Sequence, residues 1–285
     1  MSIPYAEVIG DPVAQSKSPA IHGFWLEKLG IEAEYRATPV LEDELADFLS
    51  GRKNDPHWRG CNVTMPLKQA VIGHLDTMDP AATAIGAINT VTRDDDGKLT
   101  GSNTDLAGFL EPLSHYLEIT HLFRMARIIG AGGAARAIAH ALAAENFTLV
   151  IAARRTEQAD ELVAGLPKGT QHHVVPLDYF ASPTDFAFDD RNGLLDLVVN
   201  ASPLGMRGKP PLAFDWSHAP PGAIAYDIVT DPLDTQFLLR AREANHRTID
   251  GLEMLIGQAA RAFSQFFGIE PPREHDPQLR ALLTA

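Results

Sequence analysis

Cysteine is almost absent from this sequence: Cys61 is the one cysteine among 285 residues. A single cysteine cannot form an intrachain disulfide, so nothing calls for an oxidising compartment. Long hydrophobic runs are also missing, because the most apolar segment, residues 128–144, contains Arg136 and His140. The first residues show no basic region followed by an apolar stretch, so no secretory signal is expected. These absences predict a cytoplasmic protein.

Basic residues are outnumbered by acidic ones. The 24 lysines and arginines stand against 37 aspartates and glutamates, which leaves a formal net charge of −13 at pH 7. Such a surface repels phosphate backbones and anionic lipids, so neither nucleic acid nor a membrane is expected as a partner. An anionic ligand would need a locally positive site. The pair His172-His173 has no further ligand at metal-binding spacing, so no metal site is expected.

The length and composition are those of a globular protein with more than one core. With 45% hydrophobic residues the chain can bury two sizeable cores, which excludes intrinsic disorder. At roughly 100–200 residues per domain, the length suggests two domains or one large one.

Short strand-like runs alternate with helical patterns along the chain, which predicts an α/β fold with parallel strands and right-handed crossovers. In the first part, the predicted strands are Ala6–Gly10, Glu34–Val40 and Gly60–Thr64. A helix is predicted to begin at Ser18, where the serine can cap it and Pro19 can occupy its first position. A further short helix is predicted to begin at Pro66.

The second part is more regular. A helix is predicted over Leu106–Leu122, and strand Ala126–Gly130 opens a series of alternating strands and helices. The last long helix, Gly251–Gly268, is long enough to return to the first domain. We therefore predict two α/β domains with a boundary near residue 106.

A glycine-rich motif directly follows the strand that ends at Gly130 and opens a predicted helix. Its spacing fits Gly-x-Gly-x-x-Ala, in which the first glycine makes a turn, the second lets the backbone approach a pyrophosphate, and the small third residue lets helix and strand pack closely. The helix N-terminus adds N–H donors and partial positive charge. The alternative is a turn that merely packs tightly. The residues expected to contact a dinucleotide here are Gly130, Ala131, Gly132, Gly133 and Ala134.

The end of the next predicted strand indicates which dinucleotide binds. NAD sites place an acidic residue there for the ribose 2′-hydroxyl, whereas a 2′-phosphate requires arginine. This chain has Arg154 and Arg155 and no acid, and guanidinium groups grip phosphate well. The arginines could instead be solvated surface residues. Their position favours NADP.

Several motifs, in this order and spacing, resemble the shikimate dehydrogenase family over nearly the whole chain. They are VIGDPVAQSKSPAIH, GCNVTMPLK, GAINTV, SNTDLAGF, GAGGAARA, NASPLGM and GLEMLIGQAARAF. The resemblance implies an NADPH-dependent, reversible reduction of 3-dehydroshikimate to shikimate, a step of aromatic amino-acid biosynthesis. It also implies a substrate-binding catalytic domain (1–105), a Rossmann domain for NADP (106–248), and a C-terminal helical segment (249–285) that packs back on the catalytic domain.

The resemblance assigns roles to individual residues. Ser16 and Ser18 correspond to hydroxyls that hold the substrate carboxylate, and Lys68 with Asp105 to the catalytic pair. The residues that correspond to groups binding the ring hydroxyls are Asn62, Thr64, Asn89 and Gln258. The remaining residues expected at the cofactor are Ser202, Met206, Gly251 and Met254. A monomer or a homodimer is expected.

Lys68 and Asp105 also make chemical sense as a pair. Ketone reduction needs a hydride donor and a proton donor for the developing alkoxide. If Lys68 lies in the first turn of the helix from Pro66, the helix dipole should lower its pKa from about 10.4. Asp105, also near a helix start, should stay anionic and orient the ammonium. The residues alone equally allow a surface lysine and a helix-capping aspartate.

The chain departs from the family pattern at some positions. Lys17 stands between the two serines, where it could add positive charge near a carboxylate or face water. Thr230 stands where a tyrosine is usual, and Glu253 replaces a frequent glycine. These changes keep open a quinate or shikimate-like dehydrogenase of different substrate preference. A non-catalytic NADP-binding regulator is a further alternative, against which the retention of Lys68 and Asp105 argues.

Overall fold

The structure is a computed structural model that describes residues 3–169, 171–186, 188 and 193–285. The chain divides into two compact units. One comprises Met1–Thr104 and Ile256–Ala285, and the other comprises Asp105–Leu255. Within the described ranges, no helix combines the length and the apolar character that a membrane crossing needs.

The first unit alternates strands and helices. In chain order its elements before residue 105 are β1 (Tyr5–Gly10), α1 (Ser18–Leu29), β2 (Glu34–Pro39), α2 (Leu45–Lys53), β3 (Trp58–Val63), β4 (Thr77–Met78), α3 (Pro80–Ile85), β5 (Thr90–Arg93) and β6 (Leu99–Ser102). The predicted helix α1 has a proline in its first turn and ends where Gly30 adopts a left-handed conformation with φ 64°. Residues 256–285 of this unit supply most of a long helix and a short terminal one, described below.

The sheet of this first unit has the order β2-β1-β3-β5-β6-β4. The pairs β1–β2, β1–β3 and β4–β6 are parallel, but β5 runs antiparallel to both β3 and β6. The expected parallel pairing is confirmed for the three predicted strands of this unit, which are β1, β2 and β3. The strands β5 and β6, which were not predicted, form a hairpin closed by the turn at Gly97 and are therefore antiparallel. Because successive side chains of β1 point to opposite faces of the sheet, Tyr5 and Ile9 pack in one core and Ala6 and Val8 pack in another.

The helix predicted from Pro66 is absent. Residues 65–69 form turns, and the first helical residues after them are the 3₁₀ segment Ala70–His74. The Lys68 carbonyl accepts from the Ile88 N–H at 2.7 Å rather than from the N–H four residues later, as a helix would require. Tertiary bonding to the segment before β5 therefore replaces the local helix.

The second unit is a regular βα series. Its elements are α4 (Asp105–Leu110), α5 (Ser114–Leu117), β7 (Phe123–Ile129), α6 (Gly133–Ala144), β8 (Thr148–Ala153), α7 (Thr156–Ala164), β9 (His172–Pro176), β10 (Leu194–Asn200), β11 (Ile224–Asp227), α8 (Gln236–Glu243) and β12 (Arg247–Ile249). The elements that follow are α9 (Gly251–Phe267) and α10 (Asp276–Thr284). The single helix predicted over Leu106–Leu122 is wrong, because Pro112 interrupts it with the 3₁₀ turn Glu111–Leu113.

The strand order of this second sheet is β12-β11-β10-β7-β8-β9, with every described pair parallel. Counted along the unit, this is the order 3-2-1-4-5-6 of the Rossmann fold, which binds its ligand where the order reverses, between the first and fourth strands. Here those strands are β7 and β10. The predicted Rossmann fold is confirmed. Both faces of β7 are buried, with Ala126 and Ile128 in one core and Ile129 in the other.

Candidate active site

The loop after β1 carries the two serines predicted to hold a carboxylate. Ser18 is buried, and Ser16 is half-buried. The Ser18 N–H donates to Ser16 Oγ at 3.3 Å. The prediction that Ser18 caps α1 is wrong, because Ser18 is already the first helical residue, the N-cap is Lys17, and no described side chain caps the helix. Lys17 Nζ donates to the Leu283 carbonyl oxygen at 2.7 Å, at the end of α10. That ammonium therefore secures the loop to a helix C-terminus, where a cation is favourable.

The segment after β3 lies against the end of β1. Asp11 N donates to the Met65 carbonyl at 3.2 Å, and Thr64 N donates to Ile9 O at 2.9 Å. A Cβ on Gly10, whose φ is +151°, would lie 2.6 Å from the Met65 carbonyl oxygen, so this approach requires glycine. Thr64 is half-buried here. The ends of the two strands are thus closely packed.

Lys68 is half-buried and lies three residues after the turn begins. Because residues 65–69 are not helical, the expectation that a helix dipole perturbs its ammonium loses its basis. The backbone still defines its place: the Lys68 carbonyl accepts from Ile88 N, directly before Asn89. Lys68 therefore belongs to the same edge of the sheet as the polar residues that precede β5.

A buried hydrogen-bond network occupies this edge. Asn89 Oδ1 accepts from the Thr104 N–H at 2.7 Å and from Thr90 Oγ1 at 3.0 Å. Asn89 Nδ2 donates to Thr104 Oγ1 at 2.9 Å and to Gln258 Oε1 at 3.4 Å. The predicted substrate residues Asn89 and Gln258 are thus brought together, although they are 169 positions apart. Thr104 and Thr90 complete the network; both lie within the motifs of the resemblance, but no role was assigned to either.

Asn62 joins the same network from β3. Its Nδ2 donates to the Asn89 carbonyl at 3.2 Å and to Thr90 Oγ1 at 3.0 Å, and its Oδ1 accepts from the Tyr35 hydroxyl at 2.6 Å. Tyr35 comes from β2 and interacts with the Ser18 hydroxyl as well. A tyrosine in a predicted strand normally indicates core packing, so the sequence held no signal of this role. Tyr35 connects the serine loop to Asn62.

Asp105 is the first residue of α4, is 5% exposed, and belongs to the second compact unit. It follows Thr104 directly in the chain, and the Thr104 backbone is held by Asn89. The predicted catalytic pair is therefore divided between the two units, Lys68 in the first and Asp105 at the start of the second.

The glycine loop makes a close turn that ends at the start of α6. Gly130 has φ +123°, and a Cβ there would lie 2.7 Å from the Ala201 carbonyl oxygen, so the turn requires glycine. Gly132 is the N-cap residue of α6, and no side chain of the described residues caps the helix. The N-terminal N–H groups of this 12-residue helix, from Gly133 and Ala134, are therefore available to an anion. Ala131 is 6% exposed and packs in the core.

The two arginines stand at the carboxyl end of β8, beside the glycine loop. The Gly130 N–H donates to the Ala152 carbonyl at 2.8 Å, which joins the two strand ends. Both arginines are exposed. Arg155 Nη2 donates to Gln158 Oε1 at 3.0 Å on α7, whereas Arg154 lies at the strand tip itself. Arg154 is therefore the better placed of the two for a ribose phosphate next to the loop.

Ser202 lies across the switch point from the glycine loop, after β10. Its Oγ donates to Asn200 Oδ1 at 2.7 Å and accepts from Leu204 N at 3.2 Å, so its hydroxyl stabilises its own turn. A Cβ on Gly130 would come within 3.2 Å of the Ser202 nitrogen. The Ser202 backbone, more than its hydroxyl, therefore faces the loop. Met206 follows in the same turn and is half-buried.

A buried carboxylate supports this turn. Asp227 Oδ1 accepts from Asn200 Nδ2 at 2.9 Å and from Val229 N at 3.0 Å, and its Oδ2 accepts from Thr235 Oγ1 at 2.6 Å. Burial raises the pKa of Asp227 to about 6, although these hydrogen bonds act in the opposite direction. No sequence pattern indicates this cluster, since its members lie on separate elements.

Two further residues predicted at the cofactor begin α9. A Cβ on Gly251 would lie 2.3 Å from the Val229 carbonyl oxygen. Helix α9 can therefore begin this close to the backbone that follows β11 only at a glycine. Met254 is 6% exposed and packs in the core cluster that contains Ala131 of the glycine loop. Met254 thus packs behind the glycine loop, whereas Gly251 lies against the backbone that follows β11. Among the departures, Thr230 is half-buried and Glu253 is exposed.

Comparisons with known proteins agree on one family. Two family models match the chain: the shikimate dehydrogenase substrate binding domain over residues 8–91, and the shikimate 5'-dehydrogenase C-terminal domain over residues 251–275. The shikimate dehydrogenase (NADP(+)) of Sphingopyxis alaskensis is 48% identical over 283 residues, which is 99% of this chain and 97% of that protein.

Solved structures give the same result. The shikimate 5-dehydrogenase of Thermus thermophilus, crystallised with NADP(H) and shikimate, is 33% identical with a TM-score of 0.79, over 99% of this chain and 100% of that one. A quinate dehydrogenase of Corynebacterium glutamicum, in complex with NAD, is 30% identical with a TM-score of 0.81, over 98% of this chain and 99% of that one.

Proposed function

The chain belongs to the shikimate dehydrogenase family and is an NADP-dependent enzyme that interconverts 3-dehydroshikimate and shikimate; we propose that Lys68 and Asp105 are its catalytic pair. The single observation that carries this proposal is the backbone arrangement around the buried network. The Lys68 carbonyl is bonded to Ile88 N, and the Thr104 N–H, directly before Asp105, is bonded to Asn89.

Lys68 has the chemistry that the reduction requires. As hydride reaches the ketone carbon, negative charge develops on the carbonyl oxygen, and an ammonium both stabilises that charge and supplies the proton. In the reverse direction, the neutral amine accepts the hydroxyl proton of shikimate. Asp105 orients the ammonium and accepts a hydrogen bond from a substrate hydroxyl. This assignment of roles is supported by residue type and by the position of both residues beside buried amide side chains.

The remaining polar residues of the first unit are proposed to hold the substrate. Ser16 and Ser18 bind the carboxylate, because the Ser16 hydroxyl is half-buried at a helix start. The ring hydroxyls are bound by the amides and hydroxyl named at this edge, which are Asn62, Thr64, Asn89 and Gln258. Asn62, Asn89 and Gln258 are buried and joined by hydrogen bonds, which gives a rigid surface for a polyhydroxylated ring.

The second unit fits NADP. Gly132 presents backbone without a side chain, α6 offers its N-terminal N–H groups to the pyrophosphate, and Arg154 suits the 2′-phosphate. When bound, NADPH supplies the hydride. Gly251 and the Ser202 turn are proposed to face the nicotinamide end of the cofactor.

Replacement of Lys68 tests the proposal. We expect Lys68→Ala to lower kcat by roughly 10²–10⁴-fold while the Kd for shikimate, measured by calorimetry, changes little. Lys98→Ala, at an exposed lysine of the same unit, is the matched control and should retain full activity. Equal losses of binding and turnover in Lys68→Ala would make this lysine a binding residue instead.

A quinate preference is the second candidate, favoured by the similarity to a quinate dehydrogenase and by Thr230 in place of the usual tyrosine. A matrix of shikimate and quinate against NADP and NAD, followed by absorbance of the reduced cofactor, decides between the two. We expect the highest kcat/KM for shikimate with NADP. Turnover of quinate alone would assign the chain to the second candidate, and no turnover in any combination would favour a regulator.

The cellular setting follows from the activity. We infer a cytoplasmic enzyme, as suits a biosynthetic reductase that draws on NADPH, acting as a monomer or a homodimer. Light scattering of the purified protein measures the assembly, and fractionation measures the compartment.

A further inference from the structure

The side-chain amide of Asn62 has one possible orientation. Its nitrogen lies 3.2 Å from the Asn89 carbonyl oxygen, which can only accept a hydrogen bond. The opposite orientation would place two acceptors against each other in a buried site. Asn62 is 5% exposed, so water could not relieve that contact. The amide nitrogen must therefore face β5, and the oxygen must face β2.

This orientation limits what Asn62 can offer a ligand. Both amide hydrogens are used, one by the Asn89 carbonyl and the other by Thr90 Oγ1 at 3.0 Å. The Oδ1 atom accepts from the Tyr35 hydroxyl at 2.6 Å, which leaves one lone pair. Towards a ligand, Asn62 is thus an acceptor and not a donor.

Tyr35 is held firmly in the position that imposes this pattern. It is 9% exposed, and its ring stacks on His22 with centroids 3.9 Å apart and planes 7° from parallel. The ring of Phe266 lies 6.3 Å away on α9. Burial raises the pKa of Tyr35 well above its ordinary value, so the phenol stays protonated. The hydroxyl is therefore a permanent donor at a fixed place.

We propose that Tyr35 is a positioning residue for substrate recognition, which acts through Asn62 by holding the amide oxygen toward a ligand hydroxyl that donates to it. The inference rests on the proposed role of Asn62 at the ring hydroxyls. It adds that this contact runs from the ligand O–H to the Asn62 oxygen. Tyr35 itself touches neither the ligand nor the cofactor in this scheme.

A double-mutant cycle tests the proposal. Tyr35→Phe keeps the ring that stacks on His22 and removes only the hydroxyl. We expect it to raise the KM for shikimate about tenfold, the effect of one lost hydrogen bond, with kcat and the KM for NADP within about twofold of wild type. Asn62→Ala should raise the KM at least as much. In the double variant the KM should lie close to that of Asn62→Ala alone, because the contact of Tyr35 with the Ser18 hydroxyl is then all that the loss of its hydroxyl removes.

The matched control is Tyr5→Phe in the same unit. Tyr5 is also buried, and its hydroxyl donates to Asp55 Oδ2 at 2.8 Å, with no connection to Asn62. Its KM for shikimate should stay at the wild-type value. Two results would overturn the inference, because each would show that Tyr35 contributes only general packing. In the first, the fold increases in KM of Tyr35→Phe and Asn62→Ala multiply in the double variant. In the second, Tyr5→Phe raises the KM for shikimate as much as Tyr35→Phe does.

One further readout tests the direction of the hydrogen bond. Inhibition constants of shikimate analogues, in which each ring hydroxyl in turn is replaced by hydrogen or by fluorine, need no variant. At one position, both replacements should weaken binding to wild type equally, because fluorine cannot donate, and neither should weaken binding to Asn62→Ala. Fluorine tolerated at every position would overturn the donor direction. A wild-type KM in Asn62→Ala would instead remove the proposed substrate role of Asn62, while the reductase activity itself stood.

Discussion

The imidazole of His22 stacks on the ring of Tyr35 and is fully buried, with centroids 3.9 Å apart. Neither imidazole nitrogen has a hydrogen-bond partner among the described residues. Burial therefore lowers the pKa of His22 to about 3, and the folded protein holds this ring neutral. His22 packs as a flat core residue directly behind the tyrosine that orients Asn62.

We predict that His22 makes the fold sensitive to acid. The unfolded chain binds a proton at this residue below about pH 6.5, whereas the folded chain does so only near pH 3. Stability is therefore complete above pH 6.5 and falls as the pH drops toward 3, by at most roughly 5 kcal/mol. His22→Phe keeps an aromatic ring at this site and should flatten the pH dependence of the free energy of unfolding, measured by urea titration between pH 4 and 7.

The control is His74→Gln, at an exposed histidine of the same unit, which should leave that pH dependence unchanged. If His22→Phe lost stability with acid as steeply as wild type, the buried neutral histidine would not be the cause.

The buried carboxyl of Asp227 is expected to change the stability with pH in the direction opposite to that of His22. Because burial raises its pKa to about 6, the folded protein retains a proton between pH 3.8 and 6 that the unfolded chain releases. Stability from this group is thus present at low pH and is lost as the pH rises through that window, by roughly 3 kcal/mol. Asp227→Asn should remove this loss, since an amide can accept from Val229 and bond to Thr235 without a charge. Urea titrations from pH 4 to 7 measure it.

Asp178→Asn, at an exposed carboxylate of the same unit, provides the comparison and should retain the wild-type slope. A wild-type slope in Asp227→Asn would mean that this carboxyl does not titrate in the folded protein.

The parts of the fold that could be predicted are those with local signals. Pro19 and Gly30 mark the ends of α1, and the glycine motif after a buried strand predicted the Rossmann turn at Gly130, which the strand order confirms. The prediction of a helix from Pro66 is wrong for a non-local reason, because the Lys68 carbonyl accepts a hydrogen bond from the Ile88 N–H. Similarly, nothing local shows that β5 reverses direction between β3 and β6.

The candidate site divides in the same way. The family resemblance singled out Asn89 and Gln258, which the structure brings within hydrogen-bonding distance. The roles of Tyr35 and Asp227 could not be predicted, because each acts through partners on other elements. A buried tyrosine or aspartate also has no sequence spacing that distinguishes it. Sequence patterns thus reveal side chains that carry chemistry, whereas the residues that orient them become visible only in three dimensions.

Two glycines of the cofactor loop should have separable roles. A Cβ at Gly130 would lie 2.7 Å from the Ala201 carbonyl at φ +123°, so Gly130→Ala should lower the Tm of the protein as well as NADP binding. At Gly132, with φ −79°, a Cβ would meet no heavy atom of the described residues within 4 Å. Gly132→Ala should therefore keep the wild-type Tm and raise the Kd for NADP at least about tenfold, because the methyl group occupies the space of the pyrophosphate.

Calorimetry for NADP and a thermal melt of the cofactor-free protein measure both effects. Wild-type affinity in Gly132→Ala would mean that the pyrophosphate does not approach the backbone there.

Arg154 should decide between NADP and NAD. It is exposed at the end of β8, whereas Arg155 is already bonded to Gln158 at the start of α7. A charge-assisted contact to a 2′-phosphate is worth about 1.5–3 kcal/mol, so Arg154→Ala should raise the KM for NADP roughly 10–100-fold and leave that for NAD unchanged. Arg155→Ala should have a smaller effect, and Arg240→Ala, at an exposed arginine of α8, should have none. The measurement is the ratio of kcat/KM for NADP to that for NAD, because only the contact to the 2′-phosphate is lost. A wild-type ratio in Arg154→Ala would exclude this arginine from the phosphate site.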